Sequence, residues 1–392
     1  MPSYRTIGLM SGTSLDGVDA ACCRIEMPAT DEPLTETTIE LEASITDEYD
    51  AEFRRFIEGL CTDTATIDDL AYADIAVGKR FARAVNRLCS TAGIDPKRVD
   101  LLGSHGQTVW HAPQQRDLPG DLGKTNTTLQ IGDESVLAAE TGIDAVGDFR
   151  RADIAAGGHG APLSPLLDWL QFADGGEHRI VQNIGGIGNC TLLPRGPTRA
   201  DVTAFDTGPG NMVIDAVVQA VTDGEQRYDD GGRLAATGTV DEAFLETLLD
   251  DAYFEMEPPK STGRERYGGS YVETLLAEAR NRGLEAADLV ATATALTSAS
   301  IADAYNRYVP FEPDRVIVSG GGAWNDTLLS QLEARLSCPV ETSGDRGIDP
   351  DFREAALFGL LGALFREERP GSLPSVTGAD RAAILGTRAK RP

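Results

Sequence analysis

The feature that most constrains this chain is one device used twice: an apolar strand runs into a glycine-rich turn and comes back as a second strand. Residues 4–10 (YRTIGLM) enter Ser11-Gly12-Thr13-Ser14-Leu15-Asp16-Gly17 and return at 18–26. Residues 180–184 (IVQNI) enter Gly185-Gly186-Ile187-Gly188-Asn189 and return at 190–193. A third apolar run, 315–318 (RVIV), enters Ser319-Gly320-Gly321-Gly322 and leads into a helix from about Asn325, with Leu328, Leu329, Leu332 and Leu336 on one face. Between these, Leu70, Val77, Phe81, Ala84, Val85 and Leu88 repeat near a 3.6 period and predict a helix over 67–92, closed by Gly93. A second long helix is expected over about 285–309. The run 355–365 (AALFGLLGALF) is too short to span a bilayer and reads as a buried helix. Short β-like runs alternating with long helical ones specify α/β layers. At roughly 150 residues per domain, 392 residues make between two and three domains. No linker rich in Pro, Gly or Ser separates the halves. We therefore expect packed domains crossed more than once by the chain, with 1–140 plus 370–392 as the first and 141–369 as the second.

Glycine-rich turns after apolar strands let successive backbone N–H groups approach a ligand and form a nest for phosphate oxygens. Taken singly, each of 11–17, 185–189 and 320–322 is more often a plain tight turn. Two matching hairpins plus a strand–Gly–Gly–Gly–helix element make a stronger set, because opposed loops can clamp phosphates while the third supports a nucleoside. Two common signatures fail. Gly123-Lys124-Thr125 resembles the end of a P-loop, but Leu118 stands where its first Gly belongs and a strand-like TTLQI follows. The 185–189 turn lacks the G-x-G-x-x-G spacing, since Thr191 holds the last position, which disfavours a nicotinamide or flavin enzyme. Asp206-Thr207-Gly208 occurs once, whereas an aspartic protease needs two such carboxylates. What survives is an aspartate at the end of strand 202–205, before a helix at 211–222. It serves either as an acid–base group or as a cap of the turn or helix, and both readings stand.

Charge narrows the partners. Asp and Glu number 62 against 35 Lys and Arg, leaving −27, and only Lys79, Lys97, Lys124, Lys260 and Lys390 are lysines. Nucleic acid and anionic membrane surfaces are poor partners for such a chain. At molar salt the Debye length falls to about 3 Å, which removes most of the self-repulsion, so the balance points to a salt-loving host, the alternative being a merely acidic mesophilic enzyme. The six cysteines (22, 23, 61, 89, 190, 338) form no Cys-x-x-Cys pair and lie at no zinc-ligand spacing with His, so reduced thiols and no protein-ligated metal are expected. The start, MPSYRTIGLMSGTS, lacks the basic and apolar regions of a secretory signal, which points to the cytoplasm.

Eight runs then carry a specific resemblance: IGLMSGTSLDGVD (7–19), GSHGQTVWH (103–111), LQIGD (129–133), DFRRADIAAGGHGAPL (148–163), NIGGIGN (183–189), AFDTGPGN (204–211), KSTGRERY (260–267) and SGGGAWN (319–325). In order and over nearly the whole chain, the sequence resembles the anhydro-N-acetylmuramic acid kinases, members of the superfamily of sugar kinases, heat-shock chaperones and actin. The resemblance implies duplicated actin-like (ribonuclease H-like) ATPase domains with ATP in an interdomain cleft. It implies phosphorylation of the sugar 6-oxygen with hydrolysis of the internal anhydro ring, giving N-acetylmuramic acid 6-phosphate in cell-wall sugar recycling. The loop holding ATP phosphates maps to Gly12, Thr13, Ser14, Leu15, Asp16, Gly17, Val18 and Asp19, supported by Gly185, Gly186, Gly320, Gly321 and Gly322. The catalytic aspartate maps to Asp206 as general base. Mg²⁺ is implied with ATP, and Asp16 or Asp19 would order its water shell, although an Asp in such a turn is as often a turn former. His105, Gln107, Arg150 and Glu354 are weaker candidates for sugar or acid contacts, each equally suited to a structural hydrogen bond. His159 stands where the family commonly has Gln. A homodimer is expected on base rates. The alternatives are a kinase of the same fold acting on another sugar, a non-enzymatic ATP-binding switch, and an ATP-independent glycosidase.

Overall fold

A computed structural model describes residues 1–12, 15–29, 32–60 and 64–392. Its strands are β1 (Ser3–Ser11), β2 (Gly17–Glu26), β3 (Thr38–Glu48), β4 (Leu101–Asp117), β5 (Lys124–Ile131), β6 (Ala145–Gly147), β7 (Arg179–Ile184), β8 (Ile187–Leu193), β9 (Thr203–Pro209), β10 (Arg315–Ser319), β11 (Val340–Thr342) and β12 (Thr387–Ala389). The helices that matter most are α1 (Ala51–Leu60), α2 (Ile67–Ala92), α3 (Asn211–Val221), α4 (Ala286–Tyr308), α5 (Asp326–Arg335) and α6 (Arg353–Arg366).

One topology occurs twice. In the first sheet the order β3-β2-β1-β4-β6 has β1/β2 and β2/β3 antiparallel and β1/β4 and β4/β6 parallel. In the second, β9-β8-β7-β10-β11 repeats that order and every strand direction. The first sheet adds β12 beyond β6 and a β5 hairpin on β4. This is the duplicated actin-like, ribonuclease H-like α/β fold. The Gly123-Lys124-Thr125 segment opens β5, an antiparallel partner of β4, so no helix N-terminus follows it.

The chain separates into two compact units, Met1–Gln171 with Phe352–Pro392 and Phe172–Asp351. Their boundaries differ from those read in the sequence, at 140 and 370. Residues 141–171 stay with the first unit because β6 extends its sheet. Residues 352–369 stay there because α6 lies along β1 and β4 and its buried Arg353 pairs with buried Asp168.

In the first unit the two faces of β1 alternate, as a strand requires. Ile7 and Leu9 join Val77, Phe81, Val85 and Leu88 of α2 in one buried cluster. Gly8, on the opposite face, meets α6 backbone to backbone: a Cβ there would fall 1.7 Å from the Ala355 carbonyl oxygen, and one at Gly103 would fall 1.9 Å from that of Phe358. Helix α2 starts with a Thr66–Asp69 capping box and ends at Gly93 with φ of 66°. In the second unit, Ile180, Ile184, Cys190, Phe205, Val316 and Val318 pack with Ile301, Tyr305, Leu328 and Leu332 of α4 and α5. The described cysteines, Cys22, Cys23, Cys89, Cys190 and Cys338, are free and buried; Cys61 lies outside the described residues. No helix among the described residues is long and apolar enough to cross a membrane.

Candidate active site

The first unit gathers the β1–β2 hairpin and all four sugar-side candidates. Thr13 and Ser14 lie outside the described residues. Leu15 has φ of 56°, and its N–H donates to the Gly12 carbonyl at 3.3 Å. Gly17 needs to be glycine for packing alone, since a Cβ would sit 2.6 Å from the Asp47 carbonyl oxygen. Arg54 of α1 donates to the Leu15 carbonyl at 3.0 Å and lies 4.0 Å from the Asp16 carboxylate. Asp19 accepts from Thr46 Oγ1 at 2.6 Å. Val18 is fully buried. Gln107 reaches this hairpin: its Oε1 accepts from Ser11 Oγ at 2.7 Å, and its Nε2 donates to the Gly12 carbonyl at 3.3 Å. It braces the turn.

His105 and Arg150 form a second group. Arg150 Nε donates to His105 Nε2 at 3.0 Å and Nη1 donates to the Gly160 carbonyl at 2.8 Å. A guanidinium has no acceptor, so Nε2 is the unprotonated nitrogen and Nδ1–H faces the Gly106 carbonyl at 3.0 Å. Burial, and then the Arg150 charge, hold the His105 pKa well below the ordinary value, so the ring is neutral at pH 7. Burial lowers the Arg150 pKa to about 10, with the charges of Glu354 and Asp153 opposing the shift. The guanidinium stays cationic. Asp153, not singled out by the sequence reading, accepts from the Gly160 N–H at 2.8 Å and from Thr377 Oγ1 at 2.7 Å, and so shapes the 157–160 loop. His159 is exposed and donates its N–H to the Thr377 carbonyl at 2.9 Å.

In the second unit, the two other glycine-rich turns close on each other. Gly210, Asn211 and Met212 donate N–H groups to the carbonyls of Gly186, Gly185 and Gly186, seating the 185–186 turn on the start of α3. Gly320 has φ of 74°, and a Cβ there would come 2.6 Å from Asn183 Oδ1; one at Gly322 would come 2.5 Å from Ile184 Cβ. Those two glycines are explained by packing against β7. Gly321 is tighter than it looks, with Asn211 Nδ2 3.1 Å from its Cβ position. At Gly185, among the described residues, a Cβ would meet nothing nearer than 3.8 Å. Packing therefore leaves the absence of a side chain at Gly185 unexplained.

Asp206 lies on β9 beside a bulge. Gly188 pairs with Gly208 and Asn189 with Asp206, so Thr207 is the extra residue, and a bulge of this kind re-aims neighbouring side chains. Three bonds hold the aspartate. Its N–H donates to the Lys260 carbonyl at 3.1 Å, its carbonyl accepts from Tyr253 Oη at 2.8 Å, and its Oδ2 accepts from the Thr262 N–H at 2.9 Å. Burial raises its pKa from 3.8 to about 6, and Glu265 pushes the same way; the Thr262 N–H and the Lys260 charge resist. Such a carboxyl is a base at neutral pH with real affinity for a proton. Lys260, Tyr253 and Thr262 were not assigned from sequence, although the KSTGRERY run contains two of them.

With that geometry in place, comparison with known proteins is informative. The family model described as anhydro-N-acetylmuramic acid kinase matches residues 4–390. The chain belongs to this family. An anhydro-N-acetylmuramic acid kinase of Salinibacter ruber is 44% identical over 391 residues, covering 98% of this chain and 96% of that one. One of Caldanaerobacter subterraneus subsp. tengcongensis is 41% identical over 385 residues, covering 97% and 95%. Among solved structures, the activator of the 2-hydroxyisocaproyl-CoA dehydratase from Clostridium difficile aligns with a TM-score of 0.45 at 10% identity, over 93% of this chain and 96% of that one. That likeness is too loose to add to the fold assignment, which rests on the repeated strand order.

Proposed function

We propose that this member of the anhydro-N-acetylmuramic acid kinases opens the anhydro ring of that sugar with water and transfers the ATP γ-phosphoryl group to the freed 6-oxygen. The observation that carries the reading is Asp206, a carboxylate with one oxygen fixed by a backbone N–H and a pKa raised to about 6. As general base it takes a proton from water while the water oxygen bonds to the anomeric carbon and the bond from that carbon to the 6-oxygen breaks. The 6-oxygen then bonds to the γ-phosphorus as the bond to the ADP oxygen breaks. Water and ATP are consumed, and N-acetylmuramic acid 6-phosphate, ADP and a proton result.

Phosphate binding is assigned to the backbone of Gly12, Thr13, Ser14, Leu15, Asp16, Gly17, Val18 and Asp19, with Gly185, Gly186, Gly320, Gly321 and Gly322 on the second unit. Gly185 supports this, because the close approach of a ligand gives a reason for its missing side chain. Arg150, kept cationic and oriented by His105, suits an acid group on the sugar, with Glu354 beside it; Gln107 acts through the hairpin. Mg²⁺ fits as well: the Asp16 and Asp19 carboxylates flank the hairpin, and a hard cation that keeps most of its water accepts such oxygen partners. They would order its water shell, and the ion supplies charge neutralisation on the phosphates. A place in cytoplasmic recycling of cell-wall sugar, and a homodimer, complete the reading.

The test is a coupled ATPase assay in multimolar KCl with Mg²⁺, with and without the anhydro sugar, followed by mass analysis of the product. A sugar heavier by one phosphate and one water is the expected result, and a folded, ATP-binding protein without sugar-stimulated turnover sinks the reading. In that assay kcat/KM should fall about tenfold per pH unit below about 6 and level off above it, as a base with Asp206's pKa requires. Because the charge is −27, we also expect thermal stability to drop as KCl is removed. A melting temperature independent of salt would overturn the salt-loving part of the proposal.

A further inference from the structure

Lys260 is only 6% exposed and is one of five lysines in the chain. Its Nζ lies 4.8 Å from the Tyr253 ring centre and 4.5 Å from that of Tyr308, and donates to the carbonyls of Tyr253 at 3.3 Å and Phe254 at 3.5 Å. Tyr308 Oη donates to the same Phe254 carbonyl at 2.8 Å. A desolvated ammonium is costly to hold without partners, and here ring faces and carbonyl oxygens supply them. The segment it closes is the one that grips Asp206: the Tyr253 hydroxyl takes the Asp206 carbonyl, the Lys260 carbonyl takes its N–H, and the Thr262 N–H takes Oδ2.

We infer that Lys260 is a positioning residue for the ring-opening step: its caged ammonium locks the 253–262 strap, which fixes the Asp206 backbone and one carboxylate oxygen and leaves Oδ1 to take the proton. The inference rests on the role proposed for Asp206. Loss of the ammonium frees Tyr253, loosens both backbone bonds to Asp206 and weakens the Thr262 N–H contact, so the carboxylate loses both its aim and part of what stabilises its charge. The other titratable groups facing this pair are Glu265, Cys190 on β8 and Tyr253 around Asp206, and Cys190 with Asp303 and Arg307 of α4 around Lys260. A substitution at 260 replaces none of these side chains. The Lys260 charge favours the ionised Asp206, so its removal moves the Asp206 proton equilibrium towards higher pH.

The test compares Lys260→Met, which keeps the stem between the rings, with Lys260→Arg, which keeps the cation. Lys260→Met should lower kcat for ring opening about 100-fold, the loss typical of a misplaced reacting group, with KM for ATP unchanged. The acid limb of kcat/KM should move to higher pH, and Lys260→Arg should restore most of both. A folded Lys260→Met enzyme with an unmoved acid limb and wild-type kcat overturns the proposal. If that variant does not fold, Tyr308→Leu removes one wall of the cage and must move the acid limb in the same direction, or the proposal fails. The Asp206 carboxyl is also followed without substrate by carbon-13 NMR of aspartate-labelled protein, with Asp206→Asn identifying its signal. A wild type that opens no anhydro ring would sink the function above, and this titration would still decide the inference: a shift on Lys260→Met supports it and an unmoved one overturns it.

Discussion

Asp206→Asn is expected to lower ring-opening turnover by about 10²–10⁴-fold, the usual worth of a positioned general base, while leaving ATP binding intact. Asparagine keeps the shape and an oxygen for the Thr262 N–H but takes up no proton from water. Ring opening must be scored by product mass, separately from ATP consumption, because any hydroxyl kinase also uses a base. The same variant should be more stable than the wild type at neutral pH. The Asp206 carboxyl has a pKa raised from 3.8 to about 6 in the fold, so between those values the folded state binds more protons than the unfolded one. Its favourable contribution is present below about pH 4 and disappears as pH rises through 6; at pH 7 the ionised side chain costs on the order of 3 kcal/mol, which asparagine avoids. Thermal unfolding of both proteins at about pH 4 and pH 7 reads this directly. A melting difference that is the same at both pH values would show that ionisation has nothing to do with it.

Gly103→Ala and Gly8→Ala are expected to be the most damaging single methyl additions in the first unit. Each new Cβ would fall under 2 Å from a main-chain oxygen of α6, at 1.9 Å and 1.7 Å respectively. Side chains relax around an intruding methyl, but here the obstacle is helix backbone, and only displacement of α6 relieves it. Overpacking of this kind costs about 3 kcal/mol or more. The displacement also strips Phe358 from the His105 ring, 4.7 Å away, so activity should fall with stability. Gly59 in α1 is the control, since among the described residues a Cβ there meets nothing within 4 Å and alanine should cause no comparable loss. Urea unfolding of the three variants decides it, and a Gly103→Ala protein as stable as the Gly59→Ala one would refute the close packing of α6 on β4.

Much of the fold was legible because it is written in local periodicity. The apolar run 4–10 and the 3.6-residue repeat of 67–92 correspond to β1 and α2, with Gly93 as the left-handed cap. The run 355–365 lies within α6, whose buried residues extend from Arg353 to Leu364. The two strand–turn–strand devices are β1–β2 and β7–β8, each the antiparallel start of a sheet with the same strand order. Asp206 could be found because a carboxylate on Asp-Thr-Gly-Pro-Gly-Asn is a local motif.

What sequence alone determined was thus the elements, their α/β class, the glycine turns and the one carboxylate worth testing, all set by interactions within a few residues. The pairing of those elements was settled only in three dimensions. Boundaries near 171 and 352 follow from β6 pairing with β4, residues about 40 positions apart, and from α6 packing on β4 and β1, residues about 250 to 350 positions apart in the chain. His105 gains a neutral ring and Arg150 an orientation only because they meet across 45 residues, and the Asp206 pKa comes from burial and from Thr262, 56 residues away. Desolvation and hydrogen bonding depend on what surrounds a group in space, and no local pattern of residue types records that.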